Sequence, residues 1–224
     1  MKFSKLAFIF GALVIFGGVL QASVTYNYSF GGPGGDLGSN THVFSNTSGP
    51  NPTVTAVGYS NLGSLQGIHA VDLYSKGSGG DENGLGLVND PSGDHEITPG
   101  SLVYLDLNNL DKLVLTSLSV SMESTTDGET WAIWGSNIAP TSEHFYSAPF
   151  SGVLTGTKEG NVDLDSLLCE RYIFISADCG NVLLSGLTAS VDAPEPASVG
   201  LMGLSLAIAF LVFRVHSRKQ AQKV

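Results

Sequence analysis

The sequence predicts an all-β protein, an antiparallel β-sandwich or jelly roll, with a short helix at each end. Three observations carry this. Between residues 23 and 193 the apolar side chains recur with period two in short runs. The 28 glycines, together with Asn, Asp, Ser and Pro, break those runs at close spacing. No stretch between the two apolar ends keeps a helical period.

The N-terminal helix comes first. Lys2 and Lys5 precede the apolar run 6–20, which closes at Gln21 and small Ala22 before a polar, strand-like sequence. A charged start, an apolar centre and a small residue at the boundary describe a secretory signal peptide over residues 1–22, cut after Ala22. The alternative, an uncleaved anchor, needs about 20 apolar residues, more than this run supplies.

Residues 23–193 form the expected exported β domain. Val24, Tyr26, Tyr28 and Phe30 alternate with Thr25, Asn27 and Ser29. Val103, Leu105 and Leu107 share one face, and Tyr104 and Asp106 take the other. Leu118, Val120 and Met122 alternate with Ser117, Ser119 and Ser121. Tyr172 and Phe174 oppose Ile173 and Ile175, while Leu187, Ala189 and Val191 oppose Thr188 and Ser190. About nine such strands are expected, enough for a two-sheet core. Trp131 and Trp134 are three apart on one expected strand and so face opposite ways. Trp131 shares the face of Ile133 and belongs to the core. Trp134 lies outward or at the rim, where its ring could stack on a sugar.

The chain's far end repeats the logic of its start. Residues 197–213 carry no charge and are followed by Arg214, Arg218 and Lys219. Seventeen apolar residues reach the low end for a transmembrane helix. Flanking Lys and Arg stay in the cytoplasm, so residues 214–224 are the expected cytoplasmic tail and the β domain lies across the membrane. A buried core helix would show a polar face, and this run has none. Immediately before the span stand Pro194, Glu195 and Pro196. The prolines hold Glu195 extended, outside any helix.

A Pro-Glu-Pro triplet, an apolar span and a basic end, in that order, resemble the PEP-CTERM sorting signal. The resemblance covers roughly the last thirty residues. It implies a Gram-negative bacterial protein, exported across the inner membrane, held there as an anchored precursor and processed by an exosortase that cuts near the triplet. The tail mixes lysines and a histidine with its arginines, a departure from the Arg-rich pattern. A second resemblance rests on Gly84-Leu85-Gly86-Leu87, Gly93-Asp94-His95-Glu96-Ile97, the stretch from Asp127 to Asn137, and Arg171-Tyr172-Ile173-Phe174-Ile175-Ser176-Ala177. These look like the single β-sandwich domain common in PEP-CTERM proteins, galactose-binding-like in outline, across about residues 60–191. That domain implies no enzyme activity.

Charge excludes other classes. Residues 23–193 hold 19 acidic side chains against Lys76, Lys112, Lys158 and Arg171, a net of −15. Such a surface stays soluble and repels nucleic acid and other polyanions. Enzyme motifs fail in turn. His95-Glu96 starts like a zinc-protease helix, but Pro99 stands where the second histidine belongs. There is no Gly-x-Ser-x-Gly elbow, and the glycine-rich stretches lack the dinucleotide spacing. A secreted hydrolase using a carboxylate pair is the remaining enzyme class, with no motif in its favour.

Asp81-Glu82-Asn83 and the stretch from Asn89 to Glu96 place oxygen donors on two loops around one strand, a pattern that suits a structural calcium through Asp81, Asp94 or Glu96. The same residues are also ordinary turn formers. Cys169 and Cys179 are an even pair in an exported chain, which favours a disulfide. Yet the strand expected between them, at about 3.3 Å per residue, holds them too far apart, and the second argument is the stronger. Together these readings give a non-enzymatic protein delivered to the cell surface or the extracellular polysaccharide matrix of a biofilm. A carbohydrate- or calcium-binding jelly-roll module is the alternative.

Overall fold

The computed structural model describes residues 23–32, 34–60, 68–77, 82–110, 112–123, 128–140, 151–157 and 159–192, with Ser205 and Ile208. The chain divides into two units, one of residues 24–191 and one of the two chain ends. The first unit is all-β. Its strands are β1 (Ser23–Ser29), β2 (Gly35–Asp36), β3 (Thr41–Asn46), β4 (Gly49–Ser60), β5 (His69–Ala70), β6 (Leu73–Lys76) and β7 (Gly84–Leu87). They continue with β8 (Ser101–Asp106), β9 (Leu115–Glu123), β10 (Thr130–Ser136), β11 (Ser151–Gly156), β12 (Gly160–Asp163), β13 (Tyr172–Cys179) and β14 (Leu183–Asp192). A 3-10 turn at Asp165–Leu167 joins β12 to β13.

Two antiparallel sheets pack as a sandwich. Sheet I runs β12-β9-β14-β7-β6-β2, with β1 also on β14; sheet II runs β11-β10-β13-β8-β4-β3, with β5 on β4. Sheet I contributes Phe30, Leu73, Leu85, Leu87, Leu118, Met122 and Leu187 to the core, and sheet II contributes Phe44, Val54, Leu105, Trp131, Ile133, Ile173 and Ile175. The alternations at 103–107, 118–122 and 187–191 point inward as their patterns require. In β1 the inward face deepens along the strand: Val24 is exposed, Tyr26 half-buried, and Tyr28 and Phe30 buried. Tyr28 Oη donates to the carbonyl of Pro52, 2.9 Å away, tying β1 to the opposite sheet.

β13 is the central strand of sheet II, between β10 and β8. All residues from Tyr172 to Ala177 are buried, as a strand covered on both faces must be. Ile173, Ile175 and Ala177 enter the inter-sheet core. Tyr172 and Phe174 join Ile68 and Leu102 in a second cluster on the outer face. Fully burying each such side chain contributes about 1.5–3 kcal/mol before entropy is counted.

One difference from the sequence reading stands out, the number of strands. The sandwich takes in the chain from residue 23, ahead of the 60–191 span of the second resemblance, because β4 pairs with β8 from Thr55 to Ser60 and Phe30 N–H donates to Ser185 on β14. There are fourteen described strands rather than about nine. Pieces as short as Gly35–Asp36 and His69–Ala70 carry too few residues to show a period. No helix among the described residues is long and apolar enough to cross a membrane. Residues 1–22 and, apart from the helical Ser205 and Ile208, the run 197–213 lie outside the described residues.

Candidate functional site

The outer face of sheet II carries a row of aromatic rings across four neighbouring strands. Trp131 and Trp134 do face opposite ways: Trp131 is buried in the core, and Trp134 is half-buried on the outer face. Register places Trp134 beside Phe174, Phe174 beside Tyr104, and Leu102 beside Tyr59. The Trp134 and Phe174 rings stack at 5.7 Å and 5°. Phe174 meets Tyr104 at 5.7 Å, and Tyr104 stacks on Tyr59 at 5.9 Å. Burial first, then the nearby Tyr59, Asp106 and Tyr172, pushes the Tyr104 phenol far above its ordinary value, so it stays neutral. Arg171 borders the row beside Tyr172, at the start of β13. Its Nε and Nη2 donate to the two oxygens of Asp106, each at 3.0 Å, and its guanidinium lies 4.9 Å from the Tyr172 ring centre. Phe174 and Tyr172 are themselves buried, so the partly exposed rings of the row are Trp134, Tyr104 and Tyr59, aromatic faces of the kind that can stack on an apolar ligand face.

The acidic loop after β7 is organised by its own side chains. Asp90 accepts hydrogen bonds from Ser92 Oγ, from Ser92 N–H at 3.0 Å and from Glu96 N–H at 3.2 Å. Burial opposes ionisation, but these donors outweigh it and hold the carboxyl below its ordinary 3.8. His95 sits at φ 62°, its ring stacked on Tyr74 at 4.0 Å.

Of the expected calcium ligands, Asp94 is exposed on this loop and Glu96 is buried with its carboxylate 2.6 Å from Lys76 Nζ. Asp81 lies outside the described residues. Lys76 also reaches Glu82 at 2.5 Å, so one ammonium holds two carboxylates. Its burial pulls the pKa down, but the hydrogen bonds and charges of Glu82 and Glu96 together raise it above 10.5. Among the described residues, no three His, Cys, Asp or Glu side chains are grouped as a metal site requires. Sequence reasoning passed over Lys76; its signal was its scarcity, one of four cations in a segment of net −15.

Two shallow clefts lie among the described residues. One, of about 240 Å³, is walled by Leu107, Leu113, Leu115 and Leu168, with Asn137 and Cys169 at its rim. Asn137 pins the adjoining turn by donating to the carbonyl of Cys169 (3.0 Å) and accepting from Arg171 N–H (2.9 Å). The other, of about 270 Å³, includes Asp163 and Asp165, whose carboxylates accept the N–H groups of Asp165 and Leu118. Both are below the ~300–1,000 Å³ usual for small-molecule sites. Cys169, ahead of β13, and Cys179, its last residue, are both free and exposed. Thr130 of β10 pairs with Cys179 and Ser136 with Tyr172, so β13 runs extended between Tyr172 and Cys179.

Pro194, Glu195, Pro196, Arg214, Arg218 and Lys219 lie outside the described residues. No family model, no curated protein and no solved structure matches this chain.

Proposed function

We propose that this is a non-enzymatic exported protein, sorted by a PEP-CTERM signal and processed by an exosortase. The observation that carries the reading is the order of three features after the β domain: Pro194-Glu195-Pro196, the charge-free run 197–213, and the basic Arg214, Arg218 and Lys219. On this reading residues 1–22 direct export and the 197–213 helix anchors the precursor in the inner membrane. The basic tail stays in the cytoplasm, and cleavage near the triplet sends a jelly-roll domain, galactose-binding-like in outline, to the cell surface or the polysaccharide matrix.

The strongly acidic domain fits a soluble, exported product. The test replaces Pro194, Glu195 and Pro196 with alanines in the native cell and follows a C-terminal epitope tag. Wild type loses the tag from its mature form, while the variant keeps it and accumulates in the membrane. Tag loss at the same rate from both would reject the motif.

A ligand-binding role for the same domain is favoured by one observation, the aromatic row ending in outward-facing Trp134. A glycan array supports it if binding is reproducible and lost in Trp134→Ala; silence leaves the domain structural. A calcium ion through Asp81, Asp94 or Glu96 belongs to this second reading, and calorimetric titration with Ca²⁺ that yields no heat removes it.

A further inference from the structure

The chain enters and leaves the β unit at the same end of the sandwich. Thr25 Oγ1 lies 3.2 Å from Ser190 Oγ, Thr188 Oγ1 donates to Asn27 Oδ1 at 3.0 Å, and Phe30 N–H donates to the Ser185 carbonyl at 3.1 Å. Going up β1, the partners on β14 run down, so the two strands are antiparallel. Val24, near the start of β1, therefore lies at the level of Val191, near the end of β14.

That end leaves apolar side chains uncovered. Val191 pairs with Leu115 of β9, and Val114, one residue earlier, is 74% exposed. Leu113 and Leu115 are only half-buried, in the leucine cleft that has Asn137 and Cys169 at its rim. Ile138, next to Asn137, is exposed, and so is Val24. Among the described residues of the β unit, the other exposed large apolar side chains are Val43 and Val153, on the two edge strands of sheet II. The opposite end is acidic instead. There Glu123 pairs with Leu183, Glu129 accepts from Asn181 N–H, and the acidic loop is fastened by Ile97 to Val182.

We propose that this end is a lipid-docking surface, which lays Val114, Val24 and Ile138 on a zwitterionic bilayer while the chain is anchored. The proposal rests on the reading of residues 197–213 as a membrane anchor and adds which face of the domain meets the lipid. The chain itself names the occupant. Five residues, 192–196, stand between Val191 and the apolar run, each spanning at most about 3.6 Å. So short a tether gives the bilayer a high effective concentration at this end. The apolar side chains then gain burial at the interface, and exposed Lys112, two residues before Val114, places its ammonium at headgroup level. Asp163 and Asp165 are exposed near the same end, beside Ser119 and Leu118, so a zwitterionic surface fits better than an anionic one.

The chain carries its own reporters, since exposed Cys169 lies at this end and exposed Cys179 at the other. The test places the full chain in phosphatidylcholine vesicles, with a small fluorophore on Cys169 in the Cys179→Ser form or on Cys179 in the Cys169→Ser form. Ordinary lipid is compared with brominated lipid, whose bromines quench only at short range. The label on Cys169 should dim by about twofold and the label on Cys179 should not. Val114→Asp should abolish the dimming at Cys169 while the chain still floats with the vesicles and keeps its tryptophan emission. Equal quenching of both labels, quenching of neither, or a Val114→Asp form that dims like wild type would overturn the docking and leave the anchor standing. A chain that fails to float with the vesicles would overturn the anchor and the docking together.

Discussion

Replacing Lys76 by Met removes the ammonium from between Glu96 and Glu82 while keeping an unbranched side chain of similar length. Only 4% of the Glu96 side chain is exposed, so its carboxylate cannot turn to bulk water. Stranding one member of a buried ion pair costs about 3–5 kcal/mol. Here Lys76 is 26% exposed, so solvent already screens part of the attraction and the expected loss is about 2–3 kcal/mol.

All fourteen described strands fall within residues 23–193, so that fragment serves for urea denaturation followed by tryptophan fluorescence. The loss should appear as a lower midpoint at unchanged slope. Glu82→Gln, whose carboxylate is 38% exposed, should cost less than about 1 kcal/mol. The double variant Lys76→Met/Glu96→Gln should recover most of the loss, because no buried charge is left uncompensated and the remaining Glu82 side chain is 38% exposed to water. The pKa of Lys76 is raised on folding, so its contribution is present at neutral pH and vanishes as pH climbs through the raised value. Wild type and Lys76→Met should therefore converge only above pH 10.5. A single variant within about 0.5 kcal/mol of wild type, or a double variant no more stable than the single, would refute the reasoning.

Three further outcomes follow from named contacts. Asp90→Asn should cost about 1–3 kcal/mol at neutral pH, since the loop loses a charged acceptor for three donors. The pKa of Asp90 is depressed on folding, so the difference should shrink as pH falls below 3.8, read from denaturation midpoints across pH. Gly86→Ala should cost at least about 1–3 kcal/mol in the same assay, because the added Cβ would sit 2.0 Å from the His95 carbonyl oxygen and 2.8 Å from Glu96 Cα, backbone atoms that cannot step aside. Thiol titration of the unfolded, unreduced 23–193 fragment should count two reactive groups per chain, from Cys169 and Cys179.

Much of the fold was legible because each long strand carries its own period. Leu118, Val120 and Met122 can point one way only, and Trp131 and Trp134, an odd number of residues apart, must part company. Strand order was not legible. Nothing local in 23–30 says that β1 lies on β14, more than 150 residues later; that follows from partners the pattern does not name. The partners inside the acidic loop were not legible for a related reason. Composition placed Asp81, Asp94 and Glu96 on two loops around one strand, a pattern that suits calcium. In the fold Asp90 turns to the loop's own N–H groups and Glu96 turns to Lys76, which is 20 positions away in sequence.

The central claim, that the chain is an exported domain cut from its two apolar ends, is tested most directly by intact-mass spectrometry of the protein recovered from its native cell. The account predicts a mature form that starts at Ser23 and ends near Pro196. A mature protein that still carries Val224 would contradict it and reduce the tail to an ordinary anchor.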